Sequence, residues 1–150
     1  MNKIEWKIKP FKELTIEELY QTLKLRSEVF VVEQNCAYLD LDGKDTEALF
    51  LIGSYQNEIV AHARLLNAGV SYENASIGRV VISENYRDRK WGHELMQQAI
   101  SGIAEYFNQN KITISAQLYL QKFYESHGFI AKGEMYLEDD IPHIKMIRNG

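Results

Sequence analysis

The sequence predicts an α/β (α+β) fold on a mixed central sheet, in one domain covering residues 1–150. Three observations predict it. Two apolar runs, Leu49–Tyr55 and Ile59–Leu66, are joined by the short polar turn Gln56-Asn57-Glu58, the pattern of an antiparallel hairpin. The second half alternates strand-like and helix-like segments, as a sheet covered by helices does. Hydrophobic residues make up 45% and charged residues 25% of the 150, which is ordinary globular composition in a chain long enough to build its own core.

Each element has its own signal. Ile4, Trp6 and Ile8 alternate with Glu5, Lys7 and Lys9, the period of a half-buried strand. Thr15 and Glu18 form a capping box, after which Ile16, Leu19, Tyr20, Leu23, Val29 and Phe30 suit a helix to about Val32. Asn35–Asp45 reads as a loop turning at Gly43. After the hairpin comes the loop Asn67–Asn74, then the β-branched strand Ile77–Ile82. The clearest helix starts near Arg89, where Trp91, Leu95, Met96, Ala99, Ile100, Ile103, Ala104 and Phe107 fall on one face. Ile112, Ile114 and Ala116 mark a short strand. Leu118–His127 is a short helix ended by Gly128. Phe129–Leu137 and Ile144–Ile147 close the chain around the acidic turn Glu138-Asp139-Asp140.

Charge and composition exclude several functions. The formal net charge is −4, so the chain has no global attraction to nucleic acid or to an anionic membrane, and neither is expected as a partner. No stretch approaches the roughly 20 apolar residues of a membrane span, and the N-terminus lacks a signal-peptide core. Cys36 is the single cysteine, which rules out an intrachain disulfide and fits a reducing, cytoplasmic setting. His62, His93 and His127 have no ligand-spaced partners, so no metal is expected. Asp40, Asp42 and Gly43 echo a calcium loop, but Tyr38 and Leu49 stand at its two decisive ends.

The most informative stretch is Val80–Leu95. A buried strand runs into a turn holding Arg87, Arg89 and Lys90 against one acid, Asp88, and then into the long helix. Free N–H groups at a helix start, together with local positive charge, make a phosphate site. Gly92 lets a backbone approach a ligand closely. A solvated basic turn with a packing glycine fits the same residues. The Gly-x-x-x-x-Gly-Lys-Ser/Thr pattern of a nucleotide loop is absent.

In this stretch the chain resembles the GNAT N-acetyltransferases. Residues 83–92 are similar to their cofactor loop, Arg/Gln-x-x-Gly-x-Gly/Ala. Arg87 and Gly92 match, while Lys90 stands where the family usually has its first glycine. A second segment, Phe123-Tyr124-Glu125-Ser126-His127-Gly128-Phe129, resembles the family's FYxxxGF. Val29–Cys36, Asp40–Gly43, Ile77–Val80, Ala116-Gln117 and Ile141–Met146 extend the likeness to its ElaA-like branch over nearly the whole chain.

The resemblance implies a sheet whose two middle strands splay into a V, with acetyl-CoA as cosubstrate. Its pyrophosphate would sit on the amides from Arg89 through Lys90, Trp91 and Gly92 to His93, with Arg87 beside them. Its pantetheine would pair with Val80 and Ile82, and Gln117 and Tyr124 would flank the arm. The chemistry needs a donor for the developing oxyanion and an acid for the leaving thiolate. The Ile82 backbone N–H and the Tyr124 hydroxyl are the candidates, although Tyr124 alone also suits a core aromatic.

Glu33 is either a solvated helix-end acid or, with Gln34, part of the acceptor site, holding or deprotonating the amine. His143, after Pro142, is a surface histidine or a substrate contact. Cys36 has no sequence-linked histidine to activate it, which disfavours a covalent route. Acidic residues near the expected mouth, among them Asp40, Asp42 and Glu138, would attract a cationic amine, either a small molecule or a protein lysine. The alternative is an acyl-CoA-binding or sensing module without turnover. The resemblance admits a homodimer.

Overall fold

The computed structural model describes residues 3–150. The strands are β1 (Glu5–Pro10), β2 (Leu49–Tyr55), β3 (Glu58–Leu66), β4 (Ala75–Ile82), β5 (Ile112–Gln117), β6 (Phe129–Glu138) and β7 (Ile141–Arg148). They form one sheet in the order β1-β2-β3-β4-β5-β7-β6. The neighbours are antiparallel except β4 and β5, which are parallel. The helices are α1 (Ile16–Arg26), α2 (Trp91–Phe107) and α3 (Gln121–Glu125).

Alternation along the strands divides the core between two faces. Leu51, Leu65, Ile77 and Ile114 pack with Leu95, Met96, Ala99 and Ile103 of α2. Phe50, Ile52, Leu66 and Val81 point the other way, onto Leu25 of α1 and Val29 beyond it. Gly102 lets α2 lie close to the sheet, since a Cβ there would come within 2.8 Å of Ile8 Cδ1. Among the described residues no helix is long and apolar enough to cross a membrane.

The first helix differs from the sequence expectation in its second half. The capping box at its start is present, with the Glu18 N–H donating to Thr15 Oγ1 and the Thr15 N–H to Glu18 Oε1. After Arg26, however, the turns widen into a π-helix over Ser27–Glu33. The Gln34 N–H reaches Val29 O at 3.1 Å and the Cys36 N–H reaches Val31 O at 3.0 Å, both five residues back. Such turns are uncommon and favour functional sites.

Both two-residue hairpins place paired left-handed residues in the turn: Gln56 and Asn57 between β2 and β3, Asp139 and Asp140 between β6 and β7. That handedness matches strand twist. The second hairpin begins β7 at Ile141, three residues before the expected Ile144. The expected helix Leu118–His127 is a 3₁₀ turn, Leu118–Leu120, followed by α3.

Candidate active site

The site originates in a defect of β4. Between the pairs His62↔Val81 and Arg64↔Gly78, β4 carries one more residue than β3. Arg79 takes up the extra length at φ 50°. A bulge bends its strand, and β4 leaves β5 after only two paired positions, Ala75↔Ile112 and Ser76↔Thr113. The wedge that opens beyond them is a cavity of about 420 Å³. Val80, Gln34, Gln117, Tyr124 and His143 all line it.

One edge of the wedge offers a backbone donor. The Ser83 N–H donates to Val60 O at 2.7 Å. Successive amides of an extended strand point to opposite edges, so the Ile82 N–H faces the open side. Tyr124 is 6% exposed and touches the cavity. Burial pushes its hydroxyl well above the usual phenol range, with a smaller contribution from Tyr119. The group therefore keeps its proton at any physiological pH.

The basic loop is divided among three tasks. Arg87 turns back from the loop: its guanidinium donates to Glu33 Oε1 at 2.8 Å and to Ile82 O at 3.1 Å. Arg89 lies over the rings of Tyr55, Tyr86 and Trp91, about 5 Å from each centroid. Trp91 itself is buried against Tyr55 and Tyr86. Its indole is a core group, and only its backbone can serve a ligand.

Lys90 precedes α2 at φ 62°, ψ 19°. The position where the family usually has glycine thus requires the left-handed conformation that glycine adopts without strain. A Cβ on Gly92 would meet only Phe123, at 3.7 Å, an ordinary contact. The Phe123 ring lies against this side of Gly92 without crowding it. His93 hydrogen-bonds His127 through Nδ1···Nε2 at 2.9 Å, and both rings pack on Phe123.

Three of the acids expected near the mouth are paired with arginines. Glu33 is held by Arg87, whose hydrogen bonds and charge lower its pKa against the opposing effect of burial. A neutralised, weakly basic carboxylate is a poor partner for an amine. Asp40 and Asp42 are likewise committed. Arg26, fully buried, reaches Asp40 Oδ2 and Asp45 Oδ1 at 2.8 Å each. Arg64 reaches Asp42 Oδ1 at 2.7 Å, and Arg79 reaches Asp40 Oδ1 at 2.7 Å. These pairs anchor the loop before β2 and neutralise Asp40, Asp42 and Asp45.

Gln34 and Gln117 hydrogen-bond each other across the mouth at 3.2 Å. Cys36 also lines the cavity, its thiol 3.6 Å from Asp139 O. Sequence reasoning missed Ser115 and Tyr136, which hydrogen-bond each other, with Ser115 also donating to Glu138. A signal existed: Thr113, Ser115 and Gln117 put polar groups at every second position of β5. Among the described residues, no group of three or more His, Cys, Asp or Glu is placed to hold a metal ion.

A mixed sheet split between two parallel strands, with a helix starting beside the split, defines the acyl-CoA N-acyltransferase class of fold. The chain superposes on an acyl-CoA N-acyltransferase from Pseudomonas aeruginosa with a TM-score of 0.91 and 40% identity, over 97% of this chain and 99% of that one. It superposes on Escherichia coli ElaA with a TM-score of 0.90 and 41% identity, at the same coverage. The chain belongs to the GNAT acetyltransferase family, whose acetyltransferase (GNAT) domain model matches residues 13–149. Protein ElaA of E. coli strain K12 is 42% identical over 147 residues, 97% of this chain and 96% of its own. A UPF0039 protein of Schizosaccharomyces pombe is 38% identical over 148 residues, 97% of each chain.

Proposed function

We propose that this protein is an N-acetyltransferase that moves the acetyl group of acetyl-CoA to a primary amine by direct attack in a ternary complex. The carrying observation is that the open edge of β4 and the Tyr124 side chain border one cavity. Acetyl-CoA supplies an activated thioester. The chain's residues hold and polarise it: amides at Arg89–His93 take the pyrophosphate, with Lys90 as the basic side chain of the loop turned neither to a carboxylate nor to a ring. The Ile82 N–H faces the developing oxyanion, and Tyr124 protonates the departing sulfur. Cys36 has no base among its hydrogen-bond partners, which favours direct attack over an acetyl-cysteine.

The test is a thermal melt with CoA followed by an acetylation screen over amines, aminosugars and lysine peptides, read by mass spectrometry. At about 100 times its Kd, CoA stabilises by about 2.7 kcal/mol, a rise of roughly 5–10 °C for a chain of this size. Gly92→Asp should abolish the rise without lowering the unliganded melting temperature, because a Cβ there makes only an ordinary contact. An unmoved wild-type curve removes the cosubstrate assignment. A CoA-dependent rise with no acetylated product supports the sensing module instead.

A further inference from the structure

The acceptor wall formed by β5, β6 and β7 contains an unusual pair of acceptors. His143 Nδ1 lies 2.7 Å from Ile141 O. A carbonyl only accepts, so Nδ1 carries the hydrogen, and in the neutral ring Nε2 presents a lone pair. That lone pair faces Glu138 Oε2 at 3.6 Å, another acceptor. Two acceptors 3.6 Å apart are matched by one nitrogen donor that faces both from the side. The ring is 6% exposed and stacked on Tyr136 at 24°, which fixes its plane. Ser115 Oγ donates to Glu138 Oε1 at 3.1 Å, which turns Oε2 toward the histidine.

Charge favours the same place. Of the carboxylates around the cavity, Asp42 is neutralised by Arg64 and Arg79. Glu138 has no arginine or lysine within 4.0 Å among the described residues, and the basic side chain beside it is the His143 ring. Lys145, two residues along the same strand from His143, lies over the Tyr72 ring. Asp139 and Asp140 follow Glu138 in the exposed turn. The surroundings of His143 are therefore acidic on the β6 side, with Tyr136, Tyr72 and Lys145 as the other titratable neighbours.

We propose that the position facing both His143 Nε2 and Glu138 Oε2 is the seat of the acceptor's primary ammonium, and that His143 takes its proton. The assignment rests on the transfer reading above and adds the atoms that select the amine. The ammonium donates one N–H to each acceptor. One proton passes to Nε2, and Glu138 stabilises the imidazolium. The freed nitrogen lone pair forms the C–N bond at the thioester carbon. When the C–S bond breaks, the sulfur takes the Tyr124 proton, and the second proton on the new amide nitrogen restores Tyr124. The imidazolium then releases its proton to water, so one proton leaves per turnover.

The experiment follows the His143 ring by nitrogen-15 NMR in the full chain saturated with CoA. It is titrated with n-butylamine and, separately, with tetramethylammonium, which has the same charge and no N–H. The expected result is an Nδ1–H tautomer at the start, an Nε2 signal that moves with n-butylamine only, and at least tenfold weaker n-butylamine binding in Glu138→Gln with unchanged CoA affinity. Glu138 is exposed, so that variant should fold. In turnover, His143→Gln should lower kcat/KM for the amine about 10²-fold and erase the ascending limb of its pH profile. An unmoved Nε2 signal, an equal response to tetramethylammonium, or unchanged amine binding in Glu138→Gln overturns the seat. An intact pH limb in folded His143→Gln overturns the proton transfer. Butylamine bound at His143 with no amine acetylated supports the seat and overturns the transfer reading.

Discussion

Tyr124 and Lys90 show how one residue's surroundings redefine it. By sequence alone Tyr124 suits a packing ring better than a proton donor, and the family resemblance reverses that order. In the structure its ring sits edge-on to Phe129 and Phe123, and its residue borders the cavity. Tyr124→Phe keeps the ring and removes only the hydroxyl. Turnover with the best acceptor should fall on the order of 10²–10⁴-fold, while CoA affinity by calorimetry stays within a few-fold. An unchanged kcat removes Tyr124 as the acid. Lys90 carries the strain of a left-handed backbone in exchange for a cation at the start of α2. That strain is of order 1–2 kcal/mol for a residue with a Cβ.

At the scale of elements, α1 is set by its ends. Its first turn is closed reciprocally by Thr15 and Glu18, and Glu18 is further held by Lys9 Nζ at 2.9 Å. Burial opposes the ionisation of Glu18, but the Thr15 N–H and Lys9 outweigh it and lower its pKa. Thr15→Ala should destabilise the fold by about 0.5–2 kcal/mol, read as a lower urea midpoint at constant slope. A change in slope would indicate loss of the whole helix. The far end of α1 depends on position instead. Its π-helical continuation puts Glu33 against Arg87 and Gln34 against Gln117, tying the helix to both arms of the wedge.

At the scale of the whole molecule, folding commits to buried ionisable groups whose effects depend on pH. His62 is fully buried, with Nδ1 3.0 Å from Leu51 O. Burial, then the charges of Arg26, Arg64 and Arg79, drive its pKa well below the ordinary value despite the Leu51 hydrogen bond. The folded ring stays neutral where the unfolded one protonates, so the unfolded state binds more protons. Stability is therefore complete above about pH 6.5 and declines below it, by up to about 1.4 kcal/mol per pH unit. Asp42 adds a second loss at lower pH. Burial raises its pKa, but Arg64, the Lys44 N–H and Arg79 hold it well below the carboxylate range. Its contribution is present above about pH 3.9 and fades as pH falls further. Denaturant melts between pH 7.5 and 4.5 should show the first decline, and His62→Gln should flatten it. An equal slope in that variant would assign the decline elsewhere.

The sequence by itself determined the element order, the hairpin and the two loops. These follow from local periods and turn chemistry, which the chain expresses wherever it folds. Leu49–Tyr55 is bounded alike by its apolar run and by its hydrogen bonds, and Gly92 and Tyr124 sit where two local motifs place them. Only the tertiary structure decided which charges remain available. Arg87 and Glu33 are 54 residues apart and neutralise each other. Asp40 and Asp42 look like acids of an open loop until Arg26, Arg64 and Arg79 arrive from α1, β3 and β4. A charge two residues away can be read along a chain. A charge brought in from another strand cannot, because the register that delivers it is fixed by packing across the sheet. The same holds for the His143–Glu138 pair, set by a two-residue turn and by the pairing of β7 with β5, where His143 meets Gln117.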